Sequence, residues 1–397
     1  MSEIEYFWRL PSGGDGREAL NTRGDFGKNG RVAPRIKNGV ADAHGYIDYV
    51  SQVARAADIN GFHGALLPTG RGGDEPWVVA AALARETRHL NFLIAFQPGF
   101  IHPAYATQMA ATLSRITNGR VDWNIITGGN PKEQRAYGDF LNHDERYART
   151  GEFLDAFRGY GAGEPFNYTG KLYNFENGGL TAPLKEARKP GIYFSGSSEP
   201  AIAVAAKHAD VYLMWAEPPE NIAGEVAKIR AAAEAVGRGK QVRFGIRVDV
   251  IARDTEEEAW AEVRRFYDTI PKDMMETFAK AKPREESVGA HRQWALHNGK
   301  VDKFEDLIVS PNLWAGKAIG GGAKGGQVGG PTCVLAGSNE QIAERLAEYA
   351  DIGITTFILA AKPHLEEAYR VGEYVLPRVD GALERLRSQR PARALAG

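Results

Sequence analysis

The stretch Gly191-Ile-Tyr-Phe-Ser-Gly-Ser-Ser-Glu-Pro200 contains the unit from which we expect the whole chain to be built. Residues 192–194 are β-branched or aromatic and predict a buried strand, and the small residues 195–198 lead into a run, 200–208, that is typical of a helix. The first N–H groups of a helix have no partner within it, and here two hydroxyls and a glycine lie beside them. The stretch therefore forms either an anion site, best suited to a phosphate, or a plain serine cap without a ligand.

The same alternation of strand and helix patterns continues on both sides of this stretch. Eight strands are predicted, at 4–8, 63–67, 91–96, 121–126, 192–194, 211–215, 243–251 and 354–360, with helical spacing between them. Ser338 and Gln341 fit a capping box at the start of the helix before the last strand. This pattern predicts an α/β fold, a (β/α)8 TIM barrel, in which catalytic groups lie at the carboxyl ends of the strands.

The domain organisation follows from the interruptions of this pattern. We expect a single barrel domain over 1–380 with insertions at about 162–190, 268–300 and 312–335, and a basic, solvated tail over 381–397. The run 320–330 is too rich in glycine for a stable strand or helix. It is either a flexible surface loop or, as we expect, a lid that closes over the barrel mouth and carries Lys324 inward.

Composition argues against several classes of protein. The chain has 49 basic and 50 acidic residues and a formal net charge of −1, which gives no electrostatic reason to expect a nucleic acid or a membrane as partner. The single cysteine, Cys333, excludes internal disulfides, and no pair of the nine histidines has the spacing of a zinc helix, so no metal site is predicted. The N-terminus lacks a long apolar segment, and we expect a cytoplasmic protein that acts on a small molecule.

Polar residues near the strand ends are the candidates for a barrel active site. Arg247 and Asp249 share one face of the seventh strand, where the arginine either grips an anionic ligand or satisfies other core groups. Asp249 either orients that arginine or binds substrate hydroxyls. Trp215 is a wall of the site or rim packing, and His364 is a hydrogen-bond donor or proton-transfer group or a helix residue without a role.

Ordered matches along nearly the whole chain resemble the reduced-FMN-dependent alkanesulfonate monooxygenases, a group of the bacterial luciferase-like flavin monooxygenases. They are Phe7-Trp8-Arg9-Leu10-Pro11, Leu67-Pro68-Thr69-Gly70-Arg71, Asn118-Gly119-Arg120, Ile126-Thr127-Gly128-Gly129-Asn130-Pro131, Tyr193-Phe194-Ser195-Gly196-Ser197-Ser198, Phe244-Gly245-Ile246-Arg247, Ser310-Pro311-Asn312-Leu313-Trp314-Ala315-Gly316 and Pro363-His364-Leu365-Glu366-Glu367-Ala368-Tyr369-Arg370. The resemblance implies an enzyme that takes FMNH2 from a separate NAD(P)H-dependent flavin reductase. It would use O2 as co-substrate and cleave the carbon–sulfur bond of an organosulfonate to an aldehyde and sulfite, and it would form a homodimer or homotetramer.

The resemblance also assigns residues. The FMN phosphate would lie at Gly196, Ser197 and Ser198, in agreement with the anion site expected there. The other predicted cofactor-binding residues are Gln97, Asn124, Thr127, His143 and Tyr147, of which the last two are four apart and can face the same way. The predicted catalytic residues are Trp215, Arg247 and His364, with Arg247 holding the sulfonate or stabilising an anionic intermediate.

Four positions depart from the members that act on simple alkanesulfonates. Gly73, Asp249, Lys362 and Gly321 stand where those members usually have cysteine, histidine, tyrosine and arginine. The predicted substrate-binding residues are therefore Thr69, Asp249, Lys324 and Lys362, and such polar groups favour a hydroxyl-rich substrate, a sulfonated sugar such as sulfoquinovose. The alternatives are a simple alkanesulfonate monooxygenase, an F420-dependent oxidoreductase of the same superfamily, a non-catalytic flavin- or sulfonate-binding protein and a metal-dependent barrel hydrolase.

Overall fold

Eight parallel strands close into a barrel in a computed structural model that describes residues 3–11, 36–37, 40–41, 46–280, 286–317, 319 and 332–389. In chain order the barrel strands are Glu5–Arg9, Gly64–Leu67, Asn91–Phe96, Val121–Ile125, Ile192–Ser195, Val211–Trp215, Arg243–Arg253 and Ile354–Ala360. Neighbours in the chain are neighbours in the sheet, the first strand pairs with the eighth, and pairing of the sixth with the seventh completes the ring. The predicted (β/α)8 barrel is therefore confirmed.

Helices surround this barrel. They are Tyr46–Ile59, Pro76–Leu83, Pro103–Thr117, Pro131–Ala136, His143–Ala162, Glu199–His208, Pro219–Ala235, Glu256–Asp268, Asn339–Asp351, His364–Arg370 and Leu376–Ser388. The capping box predicted at Ser338 is present, since its side chain accepts from the backbone of Gln341 and the Gln341 side chain accepts from the backbone of Ser338. No helix in the described ranges is long and apolar enough to cross a membrane.

The predicted boundary of the C-terminal tail is wrong. Residues 381–388 belong to the helix Leu376–Ser388, whose Val379, Ala382 and Leu383 are buried against the rest of the core. Their spacing places them on one face of the helix, so this segment contributes to the fold despite its basic residues. Residues 390–397 lie outside the described part of the chain.

The insertions have structure of their own. The first contains the hairpin Phe166–Thr169 and Asn174–Gly178, and the second contains the helices Lys272–Lys280 and Val288–Ala295. In and around the third lie the strands Ile308–Ser310, Leu313–Trp314 and Val334–Ser338, which the sequence did not predict. They extend the sheet beyond the barrel, because Val334–Ser338 pairs in parallel with the far end of the seventh strand, from Asp249 to Arg253. Val334 thus lies in a strand and not in a connecting insertion.

The alternation of side chains along the strands determines which residues point into the barrel at the carboxyl ends of the strands. Phe7, Leu66, Leu93, Leu213 and Ile358 belong to one buried apolar cluster. Successive side chains of a strand point to opposite faces, so the residue two positions further on points the same way. Arg9 lies two positions after Phe7, and Trp215 lies two positions after Leu213. At the carboxyl ends of the strands, a layer with polar groups therefore follows the apolar layer.

Candidate active site

A cavity of about 320 Å³ lies at the carboxyl ends of the barrel strands. Its apolar side is formed by Leu66, Ala95, Leu213 and Ile358. Most of the predicted site residues line it, namely Thr69, Asn124, Thr127, His143, Tyr147, Gly196, Ser197, Ser198, Trp215 and Arg247. The structure therefore brings together side chains that are far apart in the sequence, and their individual roles stay predictions.

Five other predicted residues are not among the lining side chains. Gln97 is buried, and its Oε1 accepts a hydrogen bond from Gln134 Nε2 at 2.7 Å. Asp249 forms an ion pair with Arg247, His364 is buried next to the cavity residue Arg9, and Lys362 is exposed. Lys324 lies outside the described residues, as does the glycine-rich run predicted to be a lid.

The loop after the fifth strand, residues 195–198, has the geometry expected of an anion cradle. Gly196 has a φ of 141°, and a Cβ there would come within 2.7 Å of the Tyr147 hydroxyl and 2.8 Å of Ala201 Cβ. Ser198 is the N-cap residue of the helix Glu199–His208, but its buried hydroxyl makes no capping hydrogen bond. The loop thus combines a close backbone approach, a helix start and a hydroxyl that is not used for capping.

Side chains from the fourth strand and from the helix His143–Ala162 line the cavity next to this loop. Asn124 is buried, and its Oδ1 has no hydrogen-bond partner among the described residues. The rings of His143 and Tyr147 lie with centroids 4.9 Å apart, which confirms that they share a face of their helix. Burial raises the pKa of Tyr147, an effect that the Ser198 hydroxyl and Arg146 partly oppose, so the phenol stays a neutral donor.

Two buried arginines occupy another part of the cavity. Arg247 pairs with Trp215 in the register of the seventh and sixth strands and with Ile358 of the eighth strand on its other side. Arg9 ends the first strand, on the far side of that eighth strand. Burial lowers the pKa of Arg247 to about 10, and burial together with the charge of Arg247 lowers the pKa of Arg9 to about 9. Sequence analysis did not assign Arg9 to the site, although an arginine inside an apolar strand was a usable signal.

His364 is held in the neutral form beside these cations. It is 2% exposed, and burial, Arg9, Lys362 and Lys317 all lower its pKa well below the usual value. A neutral imidazole can accept a proton or donate one hydrogen bond, but it adds no charge to the site at neutral pH.

The second insertion forms a wall of the cavity, which sequence analysis did not anticipate. Residues 286–289 and Arg292 line it. Arg292 binds the buried Glu217 at 2.8 Å, and Glu286 binds the buried Arg146 at 2.7 Å, so two ion pairs attach the insertion to the barrel. A Cβ on Gly289 would lie 3.1 Å from the Trp215 ring, which shows how closely this helix approaches it.

The sequence of this barrel matches a known family over most of its length. Residues 32–356 match the family described as luciferase-like monooxygenases. The chain belongs to this family. Within the described residues, no group of three histidine, cysteine, aspartate or glutamate side chains could hold a metal ion.

Several solved structures share the fold. A riboflavin lyase, crystallised with modified FMN and riboflavin, has 18% sequence identity and a TM-score of 0.71, and the match covers 96% of this chain and 92% of that one. An EDTA monooxygenase from Chelativorans sp. BNC1 has 18% identity and a TM-score of 0.70, with 98% and 95% covered. The F420-dependent tetrahydromethanopterin reductase from Methanopyrus kandleri has 17% identity and a TM-score of 0.62, with 95% and 100% covered. At these identities the likeness shows the fold alone.

Proposed function

We propose that this luciferase-like protein is a monooxygenase that uses reduced FMN and O2 to break the carbon–sulfur bond of an organosulfonate. The observation that carries the proposal is that two separate groups of residues suited to bind anions line one cavity. One is the cradle at residues 195–198, after the fifth strand, and the other contains Arg9 and Arg247, from the first and seventh strands. An enzyme that binds FMN and an anionic substrate at the same time needs one site for the flavin phosphate and another for the substrate anion.

The residues of the first site fit FMN. Gly196, Ser197 and Ser198 would hold the phosphate, since a side chain at Gly196 would fill the space next to Tyr147 and the Ser198 hydroxyl does not cap the helix. The Oδ1 of Asn124 is buried without a partner among the described residues and would accept from the flavin ring. When bound, reduced FMN supplies the two electrons with which O2 is activated.

The second site would hold the sulfonate. Guanidinium groups bind planar or tetrahedral oxyanions through paired N–H donors and keep their charge over the working pH range. The balanced reaction converts R–CH2–SO3⁻, FMNH2 and O2 into R–CHO, HSO3⁻, FMN and water. One oxygen atom goes to the carbon that loses sulfur, and the other leaves as water. Arg247 would hold the group that departs as sulfite, and His364 would be the nearest candidate for moving a proton.

The polar cavity wall favours a polar substrate over a plain alkane chain. Thr69, Glu217, Glu286, Ser287 and Arg292 all contribute to this wall. Hydroxyl groups of a sulfonated sugar such as sulfoquinovose would add hydrogen bonds to these polar groups, whereas an alkyl chain would cover their polar atoms and add none. A separate NAD(P)H-dependent flavin reductase as the source of FMNH2, a homo-oligomeric state and a cytoplasmic location are parts of the same proposal.

Sulfite release tests the proposal. Purified protein is supplied with a flavin reductase, NAD(P)H, FMN and O2, and sulfoquinovose, octanesulfonate and methanesulfonate are compared. Sulfite from the sugar alone is the expected result, and sulfite from the alkanes alone would overturn the sugar assignment while keeping the chemistry. Turnover with reduced F420 in the absence of O2 would establish the oxidoreductase alternative. Binding of FMN or a sulfonate without sulfite from any substrate would favour the non-catalytic one.

A further inference from the structure

The carboxylate of Asp249 lies between two cations. Its Oδ1 is 3.2 Å from Arg247 Nη2, and its Oδ2 forms an ion pair with Lys317 Nζ. The three side chains are mostly buried, with exposed fractions of 11% for Asp249, 10% for Arg247 and 18% for Lys317. Buried ion pairs of this kind are held in one geometry, because each charge depends on the other for its stability.

The sheet extension places Lys317 at this point. Asp249 pairs with Val334 in the parallel ladder, and Val334 pairs with Trp314 in the antiparallel one. Lys317 follows Trp314 by three residues, and both Trp314 and Val334 belong to the apolar cluster that fixes the extension. The ladder thus brings a lysine from the third insertion to the carboxyl end of the seventh strand.

Positive charge is crowded around this pair. Arg9 and Lys362 also act on Lys317, and burial together with Arg247, Arg9 and Lys362 lowers the pKa of Lys317 well below that of an ordinary lysine. Arg9 and Lys362, together with Lys317 itself, also lower the pKa of His364. Crowded cations raise the energy of one another's charged forms, and an anion bound among them would relieve this effect.

We propose that Lys317 binds the anionic group of the substrate together with Arg247, and that Asp249 positions these two cations and does not bind the substrate itself. The inference rests on the proposed function for the anionic substrate. It assigns Asp249 the orienting role and not a contact with substrate hydroxyls, since both oxygens of its carboxylate already pair with cations. Lys317 was absent from the residues selected by sequence because no local pattern distinguishes it from a surface lysine.

Binding of methanesulfonate and sulfoquinovose, measured by calorimetry with FMN-loaded protein, tests the role of Lys317. The variants are K317M and K317R, with K228M, on the exposed face of the helix Pro219–Ala235, as the matched surface control. We expect K317M to weaken binding of both sulfonates about ten-fold or more while FMN affinity stays within about two-fold, and K317R to keep most of the affinity. Unchanged sulfonate affinity in K317M would overturn the proposal.

The pH dependence separates binding from a structural role. In the wild type, sulfonate affinity should fall as pH rises through the lowered pKa of Lys317, whereas K317R should keep its affinity over the same range because a guanidinium stays charged. The groups that face Lys317 are Arg247, Asp249, Arg9, Lys362 and His364, and the comparison with K317R cancels their contribution. The same pH slope in both proteins would contradict the assignment.

D249N distinguishes positioning from direct contact. Methanesulfonate has no hydroxyl groups, so loss of a direct hydroxyl contact would weaken sulfoquinovose binding alone. Loss of positioning should weaken the binding of both sulfonates. If the wild type binds neither sulfonate, the proposed function fails together with this inference. If the wild type binds them and K317M binds them equally well, only the inference about Lys317 fails.

Discussion

Arg247 is the side chain on which the proposed substrate binding most depends. It lines the cavity, lies beside Trp215 in the strand register and shares the Asp249 carboxylate with Lys317. Burial of its charged guanidinium group costs free energy, and a single ion pair does not fully offset this cost. The proposed binding of an anionic substrate would explain why a charged group is buried here.

Replacement of Arg247 tests this role. We expect R247M to lower kcat/KM for sulfite release about 100-fold or more, because the sulfonate loses a paired hydrogen-bond donor. R247K should recover only part of the loss, since an ammonium group does not offer the same fork of donors. Steady-state kinetics at saturating FMNH2 measures both, and wild-type kcat/KM in R247M would refute the assignment.

Single residues also show what the sequence could predict. Arg247 was found because it interrupts the middle of an apolar strand, and Gly196 to Ser198 because a helix start follows a strand. Asp249 was placed in the site by the same alternation, but whether it faces substrate or cations depends on Lys317, which is remote in sequence. Contacts of that kind follow from the tertiary structure and leave no local pattern.

The start of the helix Glu199–His208 is the element that would hold the cofactor phosphate. Its approach to Tyr147 depends on Gly196, which has a positive φ and no room for a Cβ. An L-residue at this φ is strained as well as crowded, so a substitution would move the loop.

G196A should therefore weaken FMN binding on the order of ten-fold or more, while the affinity for riboflavin, which lacks the phosphate, changes much less. Fluorescence titration with the two flavins measures this difference. G151A is the matched control, because Gly151 lies in the helix His143–Ala162 and a Cβ there would meet Val204 at an ordinary 3.6 Å. Equal losses for FMN and riboflavin would show that the loop does not bind the phosphate.

The helix Val288–Ala295 is the element that closes the cavity beside Trp215. A larger side chain at Gly289 would meet the Trp215 ring, so we expect G289L to raise KM for the sulfonate by about ten-fold with little change in FMN affinity. G224A is the control, since nothing lies within 4 Å of a Cβ at that helix position. An unchanged KM in G289L would mean that this helix does not shape the substrate pocket.

Elements differ in how well the sequence predicts them. The barrel strands were predicted because each is a short apolar run that alternates with a helical pattern. The strand Val334–Ser338 was missed because a run this short is also compatible with a connecting segment. Its partner is the far end of the seventh strand, and the sequence does not show that this strand continues to pair beyond the barrel. The helix over residues 381–388 was missed because its basic residues suggested a solvated tail, although its apolar residues have helical spacing.

The whole molecule should lose stability in mild acid, partly through His208. This histidine is 2% exposed, and its pKa is lowered to about 4 by burial, with Asp155 opposing the shift. In the unfolded chain His208 takes up a proton below about pH 6.5, whereas in the folded chain it does so only at about pH 4. The contribution of neutral His208 to the free energy of unfolding is therefore complete above the unfolded pKa and is lost as pH falls.

The variant H208Q removes this proton uptake. Between about pH 7.5 and about pH 5.5, the free energy of unfolding of the wild type should fall by about 1 kcal/mol more than that of H208Q. Urea unfolding at the two pH values measures the difference, and comparison of slopes cancels the pH effects of other groups. Parallel slopes would contradict the buried neutral state of His208.

The luciferase-like barrel, the two groups of cavity residues proposed to bind anions and the polar cavity wall support the proposed reaction, which consumes O2 and a sulfonate together. The most direct measurement is the ratio of sulfite released to O2 consumed, with reduced FMN and sulfoquinovose, after subtraction of the O2 consumed without a sulfonate. The account predicts about one sulfite for each additional O2, from the balanced reaction, and no sulfite without O2. Oxygen consumption that is unaffected by the sulfonate, with no sulfite formed, would contradict it.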